Sequence, residues 1–238
     1  MPKHKVLSTK KLGPSLIELA KENDIEIIEQ EFIQIKKIWS EEKFNEIASY
    51  FQSEYVVFTS ANAINTVNNY LLATNTLEPL PWKIYTLIGR SKDELFNTPL
   101  FPKNIIGEAD NAKSLAEKIV SDRVKEIVFF CGNKKRDELP AILKDAGVKV
   151  HEVVVYETVE TPQVVTDGLN AIMFFSPSAV QSFFSANELE KETVCFSIGE
   201  TTAKAIRDFT DNRIIISESP SQGIMLASVN FYFQNISC

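Results

Sequence analysis

Short apolar runs alternate along the chain with longer stretches in which apolar residues recur every three or four positions. The runs at Val56–Phe58 and Ile172–Phe175 are typical, since each ends in a polar turn. Runs of this kind predict buried strands, and the periodic stretches between them predict amphipathic helices. Because strands that alternate with helices form parallel sheets covered by helices, the pattern predicts an α/β fold class.

Three pairs of segments resemble each other in the same order along the chain. Each segment begins with a strand pattern, passes through a polar turn and enters a helix pattern. The pairs are residues 56–67 with 172–183, 84–95 with 194–205, and 104–115 with 214–225. Self-similarity in a fixed order indicates duplication. We therefore predict two similar domains, each a parallel sheet flanked by helices.

A fourth pair has a different place in this order. Leu16–Ile27 resembles Leu139–Val150, but the first segment lies near the N-terminus and the second closes the middle part of the chain. A permuted repeat of this kind predicts that one domain is inserted into the other. The predicted domains are a discontinuous α/β domain of residues 1–31 plus 163–238 and an inserted contiguous α/β domain of residues 39–150.

Two segments, 32–38 and 151–162, must then carry the chain between the predicted domains. Apolar residues alternate with others in both, for example at Val153 and Val155. Alternation predicts strands, and segments that run out and back predict antiparallel pairing. We therefore predict a two-stranded antiparallel connector that acts as a hinge.

Composition and charge limit the classes of function that the chain can have. The chain has 238 residues and a formal net charge of −7. No apolar run approaches the roughly 18 residues that a membrane span needs. Binding of nucleic acid depends on clustered Lys and Arg, which the sequence does not display. We therefore predict a cytoplasmic protein with no membrane or nucleic-acid partner, and we expect a monomer.

The sequence contains few residues or motifs that could bind a metal or a nucleotide. Cys131, Cys195 and Cys238 are odd in number and widely separated, which fits reduced thiols better than disulfides. His4 and His151 are the only histidines, and there is no CxxC pair, so zinc and iron lack ligands. No GxGxxG or Walker sequence occurs. The sequence therefore predicts no metal and no cofactor.

Polar turns follow the predicted strands. Their Ser, Thr and Asn residues are ordinary helix caps when each is considered alone. A capped turn still presents free backbone N–H groups, which bind anions, and ligands of parallel sheets bind beyond the carboxyl ends of the strands. We therefore predict a cleft for a small anionic ligand. The candidate binding residues are Lys10, Thr59, Ser60, Asn62, Gly132, Asn133, Ser176, Ser178, Gly199, Thr201, Thr202 and Ser221.

Few residues are candidates for acid–base chemistry. Neither histidine lies near a Ser turn, so the pattern contains no nucleophile triad. Tyr156 is one candidate, and the others are Lys10, Lys135 and Arg136. Taken alone, Tyr156 is more often a half-buried strand aromatic than a catalyst. These residues by themselves leave the chemistry open.

In their order and spacing, the turns resemble those of the uroporphyrinogen-III synthases. The matching segments are VVFTSANAI at 56–64, FFCGNKKRDELPAILKDAGVKV at 129–150, VVVYETVETP at 153–162, FFSPSAV at 174–180, SIGETTAKAI at 197–206 and the Ser-Pro-Ser turn at 219–221. Each segment is weak alone, but their order together is specific. The family's fold, two α/β domains joined by a two-stranded ladder, agrees with the permuted repeat.

The resemblance implies a lyase that closes the linear tetrapyrrole hydroxymethylbilane with inversion of ring D, on the route to heme and related porphyrins. It implies no metal and no cofactor. Tyr156 corresponds to the family's connector tyrosine, which helps the substrate hydroxyl depart. A phenol can donate a proton there, because its ordinary pKa is about 10. The candidate turn residues would bind the substrate's carboxylates.

Two other functions stay open at this point. A hinged pair of similar α/β domains also describes non-catalytic binding modules for small anions. A synthase-like protein without activity would bind the same ligand and not convert it. Analysis of the product separates these two from an active synthase.

Overall fold

The structure, a computed structural model, describes residues 3–74, 80–98, 104–166 and 168–236. No helix in these ranges has the length and apolar content needed to cross a membrane. The elements in chain order are β1 (His4–Ser8), α1 (Pro14–Glu22), β2 (Ile25–Glu29), β3 (Ile33–Lys37), α2 (Glu41–Ala48), β4 (Tyr55–Phe58), α3 (Ala61–Ala73), β5 (Lys83–Leu87), α4 (Arg90–Asn97), β6 (Ile105–Ala109), α5 (Ala112–Ser121), β7 (Glu126–Gly132), α6 (Glu138–Asp145), β8 (Lys149–Glu160), β9 (Ala171–Phe174), α7 (Pro177–Phe184), β10 (Val194–Ser197), α8 (Glu200–Arg207), β11 (Ile214–Ile216) and α9 (Gln222–Ile236).

The chain divides into two compact units. Unit 1 comprises Met1–Gln34 and Val159–Cys238, and unit 2 comprises Ile35–Thr158. Unit 1 contains a five-stranded sheet in the order β11-β10-β9-β1-β2. Unit 2 contains a six-stranded sheet in the order β3-β8-β7-β4-β5-β6. Within the sheet of unit 1 the strands pair in parallel, as do β8 to β6 in unit 2.

The two sheets share one strand order, as the permuted repeat predicts. The order β2-β1-β9-β10-β11 in unit 1 matches β8-β7-β4-β5-β6 in unit 2. In the first of these orders, β1 and β2 come from the N-terminal part of the chain. In the second, β7 and β8 come last. Both units therefore have the same α/β architecture, reached with a different connection of the chain.

Strands β3 and β8 are neighbours in the sheet of unit 2. Ile38 N donates to Val155 O at 3.1 Å, and Thr161 N donates to Phe32 O at 2.9 Å. Residues later in the first segment pair with residues earlier in the second, which is the pattern of antiparallel pairing. The two segments that pass between the units are therefore hydrogen-bonded to each other.

The structure differs from the prediction that residues 151–162 form a separate connector. Strand β8 begins at Lys149, and its residues as far as Tyr156 pair in parallel with β7. Val153 and Val155 are 1% and 0% exposed because they line the core of unit 2. Their alternation reflects this burial. Tyr156 therefore belongs to the sheet of unit 2 rather than to a hinge.

The central strands are apolar throughout because helices cover both faces of each sheet. In β4, Val56 and Phe58 pack into one core cluster of unit 2 together with Trp82. Val57 points to the opposite face and packs with Phe129 in a second cluster. Successive side chains of a strand point to opposite faces, so a strand buried on both reads as a continuous apolar run.

Candidate active site

In each sheet there is one point at which the order of strand connection reverses, so that the strands on its two sides are added in opposite directions across the sheet. In unit 2 this place lies between β4 and β7, since β5 and β6 follow on one side and β8 on the other. In unit 1 it lies between β1 and β9. Open parallel sheets bind ligands beyond the carboxyl ends of the strands at such points. The predicted residues of the β4, β7, β1 and β9 turns stand at these positions.

In unit 2, the structure brings Ser60 and Tyr156 together. Ser60 Oγ and Tyr156 Oη share a hydrogen bond of 2.9 Å. Ser60 is also the N-cap of α3, because its backbone is extended and its Oγ accepts from Asn62 N at 3.2 Å. The Ser60 oxygen thus already accepts one hydrogen bond, and its single proton can be donated to the phenol oxygen.

Gly132 makes room for the Tyr156 ring. A Cβ atom at position 132 would lie 2.4 Å from Tyr156 Cζ and 2.8 Å from Tyr156 Oη. The strand register shifts at this point, between Cys131 and Gly132, so that Gly132 pairs with Tyr156. Only glycine permits so close an approach. The ring therefore lies directly on the backbone of β7 at the carboxyl end of the sheet.

Asn133 holds the backbone of β8 around the tyrosine. Asn133 N donates to Tyr156 O at 3.1 Å. Asn133 Oδ1 accepts from Thr158 N at 2.8 Å. Of the other predicted residues in this unit, Thr59 and Asn62 are half-buried beside Ser60. Ser60 and Gly132 of two separate turns thus contact the phenol, and Asn133 holds the backbone that carries it.

Lys135, one of the acid–base candidates, is engaged in ion pairs. Its Nζ lies 2.7 Å from an oxygen of Asp137 and 2.6 Å from Glu152 Oε2. Burial lowers the pKa of Lys135, but the hydrogen bonds to the two carboxylates outweigh burial and raise the pKa to about 12. An amine with so high a pKa stays protonated and is a poor proton donor at neutral pH. Arg136 is exposed.

In unit 1, Thr9 links the two turns at the reversal point. Its backbone N donates to Met173 O at 3.0 Å, and its Oγ1 donates to the same carbonyl at 3.0 Å. Phe175 N donates to Thr9 Oγ1 at 3.3 Å. Thr9 was not among the candidates, and only its place between Ser8 and Lys10 in a polar turn could have indicated it. Lys10 itself is half-buried.

The turn after β9 combines a cap with a second hydroxyl. Ser176 is the N-cap of α7, and its Oγ accepts from Ala179 N at 3.1 Å. Pro177 occupies the first helical position, where its missing N–H costs nothing. Ser178 is half-buried, and its hydroxyl makes no hydrogen bond within the described ranges. Ser176 therefore has a structural role, and Ser178 is available to a ligand.

The remaining candidates lie at two further helix starts of unit 1. Gly199 precedes α8 in an extended conformation, and its carbonyl accepts from Thr202 N at 3.1 Å. Thr202 is only 3% exposed, whereas Thr201 is exposed. Ser221 is exposed, and its carbonyl accepts from Met225 N at 3.0 Å in the first turn of α9. Thr201 and Ser221 are thus the accessible hydroxyls of this group.

The comparison with protein families decides the assignment. The sequence model of uroporphyrinogen-III synthase HemD matches residues 14–227 of the chain. This chain belongs to the uroporphyrinogen-III synthase family. The uroporphyrinogen-III synthase of Saccharomyces cerevisiae is 26% identical in an alignment of 220 residues that covers 79% of this chain and 80% of the yeast protein.

Solved structures of uroporphyrinogen-III synthases have the same fold. A mutant of the enzyme from the extremely thermophilic bacterium Thermus thermophilus matches with a TM-score of 0.67 and 13% identity, covering 98% of this chain and 99% of that one. The enzyme from Helicobacter pylori matches with a TM-score of 0.66 and 16% identity, covering 96% and 99%. Sequences this different share the fold, so the likeness confirms the α/β architecture.

Other groups of the chain that could react are either buried or distant from Tyr156. Burial raises the pKa of Cys131 and of Cys195 to about 12 in each case, so neither thiol is a nucleophile at neutral pH. His151 Nε2 lies 2.5 Å from an oxygen of Glu126, at the start of β8. Tyr156 is five residues further along the strand, about 16 Å away. In the part of the chain that the structure describes, no three His, Cys, Asp or Glu side chains converge as metal ligands.

Proposed function

We propose that this chain converts hydroxymethylbilane into uroporphyrinogen III and water, with Tyr156 as the proton donor. Members of its family are lyases that cyclise hydroxymethylbilane. The observation that carries the assignment of Tyr156 is its hydrogen bond with Ser60 at the reversal point of a parallel sheet. The proposal rests on a phenol that a fixed hydroxyl holds at the carboxyl end of the sheet.

The reaction begins when the hydroxymethyl group on ring A is protonated and leaves as water. The azafulvenium cation that remains attacks the substituted carbon of ring D, and the spiro intermediate fragments and closes again with ring D inverted. One water molecule is released, no electron is gained or lost, and a proton given up on ring closure restores the donor. This balance requires a proton donor and correct positioning, and we propose no cofactor.

Tyr156 supplies the proton in this scheme, and Ser60 is its positioning residue. As the Tyr156 proton moves to the leaving hydroxyl, negative charge develops on the phenol oxygen. The Ser60 hydroxyl, 2.9 Å away, donates into that oxygen and stabilises the charge. A fixed donor aimed at developing charge is worth about 100-fold or more in rate. Gly132 and Asn133 hold the ring and the strand in the required place.

Substrate carboxylates bind at the helix starts of both units in this proposal. The N-termini of α3, α7 and α8 each present backbone N–H groups and a positive dipole end, which favour anions. Exposed or half-buried hydroxyls at these turns add donors. The proposed binding residues are Lys10, Thr59, Ser60, Asn62, Gly132, Asn133, Ser176, Ser178, Gly199, Thr201, Thr202 and Ser221. The cytoplasmic location predicted from the sequence stays a prediction.

The decisive assay analyses the porphyrin isomers. Hydroxymethylbilane is generated in place by an upstream deaminase, this protein is added, the product is oxidised, and the type I and type III isomers are separated by chromatography. Type III product in excess is the expected result. An isomer ratio equal to that of the protein-free control would overturn the proposal and leave a binding module or an inactive synthase-like protein. The family match favours the active synthase over both.

A further inference from the structure

The turn at residues 9–13, between β1 and α1, lies at the reversal point of unit 1. Surface turns are usually more mobile than the strands and helices that they connect. In this turn, three side chains from three different elements hydrogen-bond to two successive peptide groups. The side chains are those of Ser8 at the end of β1, Glu29 at the end of β2 and Gln222 at the start of α9. None of them has a part in the proton transfer to the substrate.

The peptide group between Lys11 and Leu12 is held at both of its polar atoms. Gln222 Nε2 donates to Lys11 O at 2.9 Å, and Leu12 N donates to Glu29 Oε1 at 2.5 Å. The C=O and N–H bonds of a trans peptide group lie in one plane and point in opposite directions. The two side chains therefore fix this group from opposite sides. The Leu12 side chain is in addition buried in the core of unit 1.

The preceding peptide group, between Lys10 and Lys11, is held at its carbonyl oxygen. Ser8 Oγ donates to Lys10 O at 2.5 Å. The N–H of Lys11 belongs to the same group and points the opposite way to that carbonyl. Within the described ranges this N–H makes no hydrogen bond, and the exposed Lys11 side chain makes no ion pair. The turn thus presents a fixed N–H donor beside an ammonium group.

Unit 2 orders the corresponding turn with a glutamate at the same repeat position. The repeat that relates segments 16–27 and 139–150 also relates Glu29 to Glu152. Glu152 Oε2 lies 2.6 Å from Nζ of Lys135, in the turn between β7 and α6. Glu29 accepts instead from a backbone N–H, so it fixes the peptide group itself. A glutamate at this position therefore orders the turn in both units, through the side chain in one and through the backbone in the other.

We propose that the turn at residues 9–13 binds one carboxylate of the substrate through the Lys11 N–H, and that Glu29 and Gln222 are positioning residues for this donor. The inference rests on the proposed function, which supplies a substrate with several carboxylates. A donor that is fixed before binding loses little conformational entropy when a carboxylate binds to it. Glu29 is negatively charged and repels a carboxylate, so it contributes to binding by ordering the turn and not by its charge.

Substitution of Glu29 tests the proposal. Glu29→Ala is expected to raise KM for hydroxymethylbilane about tenfold and to change kcat by less than about twofold, since Tyr156 lies in the other unit. Glu29→Gln retains an oxygen that accepts from Leu12 N and is expected to restore the parent KM. Glu26→Ala and Glu26→Gln are the matched controls. Glu26 is exposed on the same strand and makes no hydrogen bond or ion pair within the described ranges, so its loss removes the same charge without releasing the turn.

A double variant tests whether Glu29 and Gln222 act on the same peptide group. Gln222→Met retains the length of the side chain, removes its amide donor and is expected to raise KM as well. Once one substitution has released the turn, the second has little further effect. The variant with both Glu29→Ala and Gln222→Met should therefore raise KM by less than the product of the two single effects. An effect equal to that product would overturn the shared positioning role.

An NMR titration locates the donor without relying on turnover. The probe is uroporphyrin III, the oxidised product, because oxidation removes hydrogens from the macrocycle and leaves the carboxylates in place. The amide signal of Lys11 in the full-length parent chain is expected to shift on binding, and Kd should rise in Glu29→Ala and not in Glu26→Ala.

Three results would overturn the proposal. They are an unshifted Lys11 amide signal at saturating uroporphyrin III, equal KM in Glu29→Ala and Glu26→Ala, and a failure of Glu29→Gln to recover the parent KM. Melting temperatures of all variants establish that each is folded. A parent chain whose Lys11 amide signal shifts but which makes no excess of the type III isomer would support this inference and overturn the proposed synthase activity, so the two failures are distinguishable.

Discussion

The ring of Tyr156 lies on the backbone of Gly132, so closely that a Cβ atom at position 132 would come within 2.4 Å of Tyr156 Cζ. Two residues that are far apart in the sequence are thus dependent on each other. The phenol can hold its place beside Ser60 only because position 132 carries no side chain. A substitution of Gly132 therefore tests whether the tyrosine must lie beside Ser60 for activity.

Gly132→Ala is expected to displace the Tyr156 ring and to abolish most synthase activity. The overlap should also cost about 1–3 kcal/mol in the free energy of unfolding. Gly107→Ala is the matched control, since a Cβ there would lie 2.4 Å from Tyr85 Cδ1 in the same unit. Urea unfolding and isomer analysis are the measurements. Equal losses of activity in two equally destabilised variants would remove the special role of Gly132.

Tyr156→Phe is expected to lower turnover about 100-fold, because the leaving hydroxyl loses its proton donor. The lost hydrogen bond to Ser60 should lower the free energy of unfolding by only about 1 kcal/mol. Single-turnover kinetics and a thermal melt separate the two effects. Ser60→Ala should lower turnover less, and Ser60→Thr, which retains a hydroxyl, should recover it. Unchanged kinetics in Tyr156→Phe would refute the leaving-group role.

Substitutions of Ser176 and Ser178 are expected to distinguish helix capping from substrate binding. Ser176→Ala removes the N-cap of α7 and should cost about 1 kcal/mol of stability. Ser178→Ala should change the stability by less than about 0.5 kcal/mol, since it breaks no hydrogen bond of the described structure. Ser178→Ala should raise KM severalfold. If KM in Ser178→Ala equals that of the parent protein, Ser178 does not contact substrate.

Lys135→Met is expected to destabilise the protein by about 1–2 kcal/mol at neutral pH, through the partly buried pair with Glu152. Burial raises the pKa of the Glu152 carboxyl, but hydrogen bonds from Lys135 and Lys144 outweigh burial and lower it. A carboxyl with a lowered folded pKa contributes stability above its ordinary pKa and loses it as the pH falls.

The stability difference between Lys135→Met and the parent should therefore be constant near neutral pH and shrink below about pH 4. On the alkaline side it should be fully present below the ordinary lysine pKa of 10.5 and be lost as the pH rises from there to the Lys135 pKa of about 12. Urea titrations at a series of pH values measure it. Lys113→Met, which breaks a wholly exposed pair with Glu117, is the control and should show almost no difference. A loss that does not depend on pH would indicate lost packing instead.

The likeness of the two sheets was predictable from the sequence, because the apolar runs and their polar turns repeat in the same order. The permutation was indicated by segment 16–27, which resembles segment 139–150. In the structure its strand β2 lies beside β1, just as β8 lies beside β7. The extent of β8 could not be predicted from the sequence. Alternating valines at 153 and 155 are equally compatible with a connector and with a buried strand inside the sheet, and only the pairing with β7 distinguishes the two.

The candidate site was predictable as a set of turns and not as a set of contacts. Ser60 and Ser176 follow strands and precede helices, which a sequence reveals. The hydrogen bond between Ser60 and Tyr156 and the link made by Thr9 depend on which strands are neighbours, and the first depends also on a register shift at Gly132. Neither feature leaves a periodic signal in the chain.

The permuted connection also sets an order for folding during synthesis. Strands β1 and β2 leave the ribosome first, yet β1 takes its place between β2 and β9. The sheet of unit 1 therefore cannot close until β9, at Ala171–Phe174, has been translated. Unit 2 is continuous, and all of its strands are translated before then. The N-terminal strands thus wait for their partners until every strand of unit 2 has been made, so the part of the sheet made first is completed last.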